Sequence, residues 1–110
     1  MSRWIVAAQV ADCPPGAVLE VVVESRVVAI FNVAGQLHAL DGVCPHQGGP
    51  LGKGTLDGDL VTCPWHGWQF SVATGQHTAH PGLCQPRFPV RIEEDTILVD
   101  AAAFSDTPHE

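Results

Sequence analysis

Two short elements of this chain each pair a cysteine with a histidine. The first is Cys44-Pro-His46, and the second, after sixteen further residues, is Cys63-Pro-Trp-His66. If each element gives its cysteine to one iron and its histidine to another, the four side chains suit a 2Fe-2S centre with two sulfur and two nitrogen ligands. The two elements must then face each other across the centre. The chemistry that this pattern predicts is the uptake and release of one electron at a time.

The residues around these pairs are rich in glycine and proline. Pro45 and Pro64 each follow a cysteine of the motif, and Pro50 stiffens the stretch between the pairs, so the loops are expected to be shaped before metal binds. Four glycines between the pairs lack a Cβ, which lets the backbone approach sulfur closely, offer its amides as donors and turn with positive φ. These glycines are Gly48, Gly49, Gly52 and Gly54.

A structural zinc site is the alternative, because two cysteines and two histidines also make a tetrahedral zinc site. The spacing disfavours zinc, since zinc fingers group their cysteines together and their histidines together, whereas here each half carries one of each. Colour separates the two alternatives, because an oxidised iron–sulfur protein is brown and a zinc protein is colourless.

The segment 44–70, CPHQGGPLGKGTLDGDLVTCPWHGWQF, closely resembles the Rieske ferredoxins that serve bacterial aromatic-ring-hydroxylating dioxygenases. The resemblance extends more loosely over residues 1–100, which are expected to form one Rieske 2Fe-2S domain. Residues 101–110 are expected to be a frayed C-terminal tail. The resemblance implies an all-β fold, a small antiparallel sandwich or barrel that holds the cluster between two hairpin loops at one end.

The same resemblance implies the ligands, the cofactor and the role. Cys44 and Cys63 would hold the buried iron, and His46 and His66 the outer iron, of one 2Fe-2S cluster per chain. The chain would be a soluble, cytoplasmic electron-transfer component that carries electrons from a flavoprotein ferredoxin reductase to a terminal Rieske oxygenase in aromatic hydrocarbon catabolism. The Rieske-type small subunit of an assimilatory NAD(P)H nitrite reductase shares this outline and is the alternative.

Four positions differ from those of the respiratory members of the wider family. The disulfide cysteines of those members correspond to Gly49 and Trp65 here, so that bridge cannot form. Their serine and tyrosine donors correspond to Trp68 and Phe70, and Phe70 has no hydroxyl. Fewer donors make the added negative charge of the reduced cluster harder to stabilise, which predicts a potential of about −150 mV, near the low end of the Rieske range.

The charge and composition indicate a small acidic carrier. Twelve acidic against five basic residues give a net charge of −7, which disfavours nucleic acid and anionic membranes as partners and favours basic patches on redox proteins. We find no targeting segment at the start and no apolar run of about 18 residues that could span a bilayer. Neither a two-histidine, one-carboxylate iron site nor a glycine-rich nucleotide fingerprint can be assembled, so the chain is not expected to be an enzyme.

Short runs of β-branched residues between turn signals predict strands rather than helices. A turn is expected at Ser25-Arg26, and a second hairpin at 56–59 would place both elements of the motif at hairpin tips. Alternation places Ala39 and Leu40 on opposite faces of their strand. The predicted strands are a run that begins near Trp4, then 18–24, 27–33, 37–40, 60–62, 68–72, 90–93 and 96–100.

Residues outside the motif are expected to have ordinary roles. His77 and His80 lie in a polar connector that contains proline, and we expect both to be exposed to solvent. Cys13 and Cys84 are expected to be thiols rather than a disulfide, as in a reducing cytosol.

Aromatic residues near the motif have two candidate roles. Trp65 and Phe70 are expected to shield the cluster from water. Trp65 is also a candidate for a docking surface beside the histidines, together with Gln47, Pro50 and Leu51, because exposed apolar residues rimmed by polar ones commonly mark partner contacts.

Overall fold

The computed structural model describes residues 2–43, 49–65, 67–80 and 82–104. Over these ranges the chain forms ten β-strands and three single-turn 3₁₀ helices but no α-helix, which confirms the predicted all-β class. The strands are β1 (Trp4–Gln9), β2 (Val18–Val23), β3 (Arg26–Val33), β4 (Gln36–Asp41), β5 (Thr55–Asp57), β6 (Leu60–Thr62), β7 (Gln69–Ser71), β8 (Arg87–Phe88), β9 (Val90–Glu93) and β10 (Thr96–Asp100). The 3₁₀ helices span Val10–Asp12, Leu51–Lys53 and Ala101–Ala103. In this part of the chain, no helix has the length and apolar character needed to cross a membrane.

The strands form three antiparallel sheets. The terminal sheet has the order β1-β10-β9, the central sheet β2-β3-β4-β8, and the motif sheet β5-β6-β7. The motif sheet consists of short hairpins, and the second element of the Cys/His motif lies between its strands β6 and β7. The first element lies between β4 of the central sheet and β5 of the motif sheet.

The central sheet begins with two tight hairpins. Glu24 and Ser25, between β2 and β3, have φ of 51° and 70°, and Ala34 and Gly35, between β3 and β4, have φ of 52° and 97°. Two consecutive left-handed residues form the kind of turn whose twist matches that of the paired strands. The first turn lies one residue earlier than the sequence predicts, because Arg26 already belongs to β3.

Alternation along β3 and β4 sends side chains into two separate hydrophobic cores. The prediction for Ala39 and Leu40 is confirmed, since they belong to different cores. The motif core lies between the central and motif sheets, and its buried residues are Ala29, Phe31, Leu40, Leu51, Val61, Cys63, Phe70 and Val72. The distal core lies between the central and terminal sheets, and its buried residues are Cys13, Val23, Val28, Ile30, Ala39, Phe88, Ile97 and Val99.

The C-terminal segment packs against the fold as far as Phe104. Asp100 caps a 3₁₀ turn by accepting a hydrogen bond from the Ala102 N–H at 3.0 Å. The Phe104 ring packs edge to face on Phe88, with 4.7 Å between ring centroids. Sequence reasoning missed β8, which contains Phe88 and is only two residues long. The domain boundary at residue 100 stays a prediction, and residues 105–110 lie outside the described residues.

Candidate metal centre

The second element of the motif begins where β6 ends. Cys63 is buried in the motif core, and its N–H donates to the Trp68 carbonyl oxygen at 2.7 Å. This bond continues the pairing of β6 with β7, so the chain between these two residues is a hairpin tip. Cys44, His46 and His66 lie outside the described residues, and their assignment as ligands stays a prediction.

The first element of the motif lies in a loop whose two ends are paired. Val43 forms an antiparallel bridge with Pro50, and the Leu51 N–H donates to the Gly42 carbonyl oxygen at 2.9 Å. These described flanks agree with the prediction that both elements lie at hairpin tips. Both loops therefore leave the fold from closed, hydrogen-bonded bases.

The two loops meet at Gly49. A Cβ added to Gly49 would lie 2.8 Å from Sγ of Cys63, closer than real Cβ atoms approach, and 3.0 Å from Cβ of Trp65, which is also a tight contact. Only glycine therefore fits against the cysteine sulfur, and the predicted facing of the two loops is confirmed for these residues. A buried thiol lined by the bare backbone of the opposite loop suits a sulfur ligand of an iron–sulfur cluster, so the residues present fit this cofactor.

The predicted backbone conformation of the glycines is wrong. Of the four, Gly49, Gly52 and Gly54 are described, and none of these three has a positive φ. Gly54 instead packs against the Thr62 carbonyl oxygen, where a Cβ would clash, and its N–H donates to Leu51 at 3.1 Å rather than to sulfur. Close packing is what requires glycine here, and Gly48 lies outside the described residues.

His77 is buried rather than exposed, which corrects the prediction for the connector. Its residue exposure is 6%, because it forms a bridge with Phe70 that extends the pairing of β7. Its ring packs edge to face on the rings of Trp68 and Phe70, with centroid distances of 4.7 and 5.2 Å. His80 is exposed, as predicted. The connector therefore covers part of the motif core with an imidazole.

The hydrogen bonds of His77 define its protonation. Nδ1 accepts from the N–H groups of Ala79 and His80 at 3.0 and 3.1 Å, so a neutral ring carries its proton on Nε2. Nε2 is buried and has no hydrogen-bond partner among the described residues. Burial, together with the nearby His80, lowers the pKa of His77 below its ordinary value.

The aromatic and apolar residues near the motif divide into buried and exposed groups. Phe70 is fully buried, as expected for a residue that excludes water. Trp65 is 49% exposed and therefore does not enclose the site, although it remains available to a partner. Leu51 is fully buried, so its predicted place in a docking surface is wrong.

Sequence reasoning missed the role of Gln85 at the base of the first loop. The Gln85 side chain is buried, and its Nε2 donates to the carbonyl oxygens of Asp41 and Val43 at 2.7 and 2.6 Å. Its backbone N–H donates to Gly75 at 2.6 Å. Asp41 and Gln85 are 44 positions apart, so no local pattern links them.

The remaining cysteines are not joined to each other. Cys13 is buried in the distal core and Cys84 is exposed, and no disulfide links them. Burial, with a smaller contribution from Asp12, raises the pKa of the Cys13 thiol. The expectation that these two residues form no disulfide with each other agrees with the structure.

Comparison with known proteins identifies a family. Residues 3–92 match the sequence profile of the Rieske 2Fe-2S domain. The chain is 41% identical over 97 residues to the biphenyl dioxygenase ferredoxin subunit of Pseudomonas sp. (strain KKS102), covering 86% of this chain and 88% of that protein. It is 34% identical over 104 residues to the ferredoxin component of the naphthalene 1,2-dioxygenase system of Pseudomonas aeruginosa, covering 89% and 95%. The solved Sphingomonas yanoikuyae B1 ferredoxin matches with a TM-score of 0.81 at 32% identity, covering 89% and 98%.

Proposed function

This chain belongs to the Rieske 2Fe-2S domain family, and on that premise we propose that it is the ferredoxin of an aromatic-ring dioxygenase system. It takes single electrons from a flavoprotein reductase and passes them to a terminal oxygenase. The names of the two relatives, which cover most of both chains, support this role over that of a nitrite reductase subunit. The acidic net charge of −7 favours docking on basic surfaces of both partners.

The contact of Gly49 with Cys63 carries the proposal, because it brings the described end of the first loop against a cysteine of the second. In the proposed site, Cys44 and Cys63 hold one iron, and His46 and His66 hold the other. The bound cluster supplies one-electron chemistry at a potential set by its surroundings. The chain holds its ligands on two facing loops and excludes water from Cys63 with the motif core.

The surroundings of the site support a low potential. Phe70 is buried and has no hydroxyl to donate, and the Trp68 ring packs on His77 and Phe70. The hydroxyl that the respiratory members place at the position of Phe70 is therefore missing here, which leaves one donor fewer to stabilise the reduced form. Phe70→Tyr and Trp68→Ser should each raise the midpoint potential, and a titration that shows no rise would contradict this reading.

We also propose that the protein acts in the cytoplasm. Cys13 is a buried thiol, which suits a reducing compartment. Cell fractionation with detection of the untagged protein tests this location, and recovery from a periplasmic or membrane fraction would reject it.

The cofactor is tested on protein purified without oxygen. We expect two iron atoms and two acid-labile sulfides per chain. The reduced protein should give an electron paramagnetic resonance (EPR) signal, and double-resonance spectroscopy should detect two coordinated histidine nitrogens. Stoichiometric zinc without sulfide would reject both the cluster and the electron-transfer role.

The role is tested with reconstituted partners. A flavoprotein reductase with NADH should reduce the protein, and an aromatic-ring oxygenase should reoxidise it in the presence of its substrate. Both rates should fall as ionic strength rises, because the attraction between charged surfaces is screened. Reoxidation by a nitrite reductase catalytic subunit, with none by oxygenases, would favour the alternative role.

A further inference from the structure

A polar network centred on Asp41 holds the base of the first loop. Asp41 ends β4 and stands three positions before Cys44. Its Oδ1 accepts a hydrogen bond from the Val43 N–H at 2.9 Å, and its Oδ2 accepts from Nη1 of Arg26 at 3.0 Å. Val43 is bonded directly to Cys44. The carboxylate of Asp41 therefore restrains the backbone from which the first cysteine of the motif emerges.

This ion pair joins a buried carboxylate to a partly buried guanidinium. The side chain of Asp41 is 2% exposed and that of Arg26 is 19% exposed. Taking two charges out of water is costly, and removing one partner of a buried pair is strongly destabilising because the other charge is left uncompensated. An apolar pair would fill the same space without that cost. What the ions add is directional hydrogen bonding to one backbone N–H, which suits a positioning role.

The network extends to the C-terminal segment through Arg26. Its guanidinium carbon lies 5.3 Å from the centroid of the Phe104 ring, and the Phe104 ring packs edge to face on Phe88. An aromatic face attracts a guanidinium and restricts its orientation. A residue beyond the predicted domain boundary is thus linked, through one arginine and one carboxylate, to the residue before Cys44.

Gln85, which lies between β7 and β8, also contacts the base of the first loop. Nε2 of Gln85 bridges the carbonyl oxygens of Asp41 and Val43, and the Asp41 N–H donates to Pro86 at 2.9 Å. The side-chain carboxylate holds the N–H of Val43, and Gln85 holds its carbonyl. Both backbone groups of Val43 therefore have side-chain partners, one from Asp41 two residues earlier and one from Gln85, 42 positions away.

We propose that Asp41 is a positioning residue for the first ligand loop, held in place by Arg26, Gln85 and Phe104. It acts on the proposed metal centre indirectly, because it sets the path of the backbone that leads into Cys44. It is not itself a ligand. This inference rests on the proposed function, because it assumes that the loop carries ligands of a cluster.

The chain contains a matched control on the terminal sheet. The guanidinium of Arg91 lies 4.5 Å from the centroid of the Trp4 ring and pairs with Glu93, whose side chain is 54% exposed. This group has the same three chemical components as Phe104, Arg26 and Asp41. Its carboxylate is exposed and holds no ligand loop, so Arg91→Met removes a charge and an aromatic contact without the proposed positioning effect.

The test compares Asp41→Ala, Arg26→Met and Arg91→Met with the wild-type holoprotein. We measure iron release to a chelator, the EPR line width of the reduced protein and its midpoint potential. Asp41→Ala should release iron roughly tenfold faster or more, as expected when a charge-assisted hydrogen bond is lost and the half-buried Val43 N–H loses its acceptor. Arg26→Met should move all three readouts in the same direction, and Arg91→Met should leave them at wild-type values.

Conservative variants separate positioning from folding. Asp41→Asn keeps an oxygen that can accept from Val43 and should restore most of the wild-type line width, whereas Arg26→Lys keeps the charge but loses the planar guanidinium and should restore less. Phe104→Ala should change iron release only a few-fold, since it acts through Arg26. If Asp41→Ala does not fold, Gln85→Leu tests the loop base through its other contacts, the hydrogen bonds to the Asp41 and Val43 carbonyl oxygens.

The inference is overturned if Asp41→Ala and Arg26→Met change the line width and iron release no more than Arg91→Met does. It is also overturned if these variants lower only the urea midpoint and leave the spectrum of the remaining cluster unchanged. Hydrogen–deuterium exchange of a peptide that covers Val43 provides a readout that does not depend on metal. If the wild-type protein holds no cluster, the proposed function is rejected. If Asp41→Ala does not accelerate exchange at Val43, only the positioning role is rejected.

Discussion

On one face of the central sheet, the motif core packs beneath three strands of three residues each. On the other face, the distal core packs beneath β1, β9 and β10, which have six, four and five residues. Short strands make few ladder hydrogen bonds, so a small sheet built from them depends on packing or on a cross-link. The side with the shorter ladders is the side that carries Cys63 and the two facing loops.

This difference implies that the two faces respond differently to loss of the metal. A metal centre that ties two loops together contributes its binding free energy to the folded state. We therefore expect the motif sheet to depend on the cluster and the terminal sheet to keep its strands without it. Paired substitutions on the two faces test this expectation.

The largest effect is expected from the two buried cysteines. Cys63→Ala removes a proposed ligand in the motif core, and the purified protein should lack stoichiometric iron and sulfide. Cys13→Ala removes a thiol of equal burial from the distal core and should keep the full cluster while losing about 1 kcal/mol of stability. Metal and sulfide analysis measures both. A complete cluster in Cys63→Ala would contradict the ligand assignment.

The second comparison is between large side chains of the two cores. Phe70→Ala should cost about 3–5 kcal/mol and Ile97→Ala about 2–5 kcal/mol, because both residues are fully buried and each leaves a cavity. Only Phe70→Ala should also accelerate iron release, since the cavity admits water near Cys63. Urea unfolding and chelator kinetics measure the two effects. Equal iron release from both variants would mean that the cores are not separate.

Glycine substitutions give a smaller and more local effect. Gly49→Ala should cost about 1–3 kcal/mol, because its Cβ would lie 2.8 Å from the Cys63 sulfur and force the two loops apart. Gly82→Ala is the matched control, since nothing lies within 4 Å of its Cβ and its φ is not positive. The yield of cluster per chain measures the difference. A full cluster in Gly49→Ala would show that the loops have room to move.

The smallest effect is a difference in pH dependence. Burial lowers the pKa of His77 from 6.5, so the folded state holds the neutral ring and the unfolded state binds the proton more readily. The stability that depends on this neutral ring is complete above pH 6.5 and falls as pH drops below it. His77→Asn, which keeps an acceptor in place of Nδ1, should abolish this fall, whereas the exposed control His80→Asn should retain it. Urea midpoints measured at about pH 7.5 and about pH 5.5 test this.

Asp100 provides the corresponding group on the terminal sheet. The Arg3 N–H, which donates to its Oδ1 at 2.8 Å, is the main cause that lowers the pKa of Asp100 from 3.8. Its contribution is present above pH 3.8 and is lost as pH falls further. As the pH falls, the packing of His77 on the motif core should therefore be destabilised before the terminal sheet is. Hydrogen exchange that shows simultaneous loss of both would contradict this order.

Local signals predicted much of the fold. The strands Val90–Glu93 and Thr96–Asp100 occur with the predicted bounds, because both are rich in β-branched residues and a turn at Glu94 separates them. The turn between β2 and β3 was misplaced by one residue, since a left-handed Glu24 has no marker in its residue type. The strand β8 was missed, because two residues are too few to show a period.

The candidate site was predictable only in part. The spacing of cysteine, histidine and glycine identified the motif, and the contact between Gly49 and Cys63 agrees with it. The burial of His77 was not predictable, because it depends on rings supplied by Trp68 and Phe70. A polar residue in a segment without hydrophobic periodicity indicates a loop. Whether that loop packs over a core depends on residues elsewhere in the sequence.

The sequence by itself determined the ligand motif, the all-β class and the acidic charge, because ligand chemistry, side-chain alternation and net charge are properties of residue types and their spacing. Only the tertiary structure decided which groups surround the motif. Four side chains converge on one loop base because the start of β3, the end of β4, the segment before β8 and the C-terminal segment meet there; they are those of Asp41, Arg26, Gln85 and Phe104. Hydrogen bonds and burial depend on distances between residues far apart in the chain, and those distances exist only once the chain has folded.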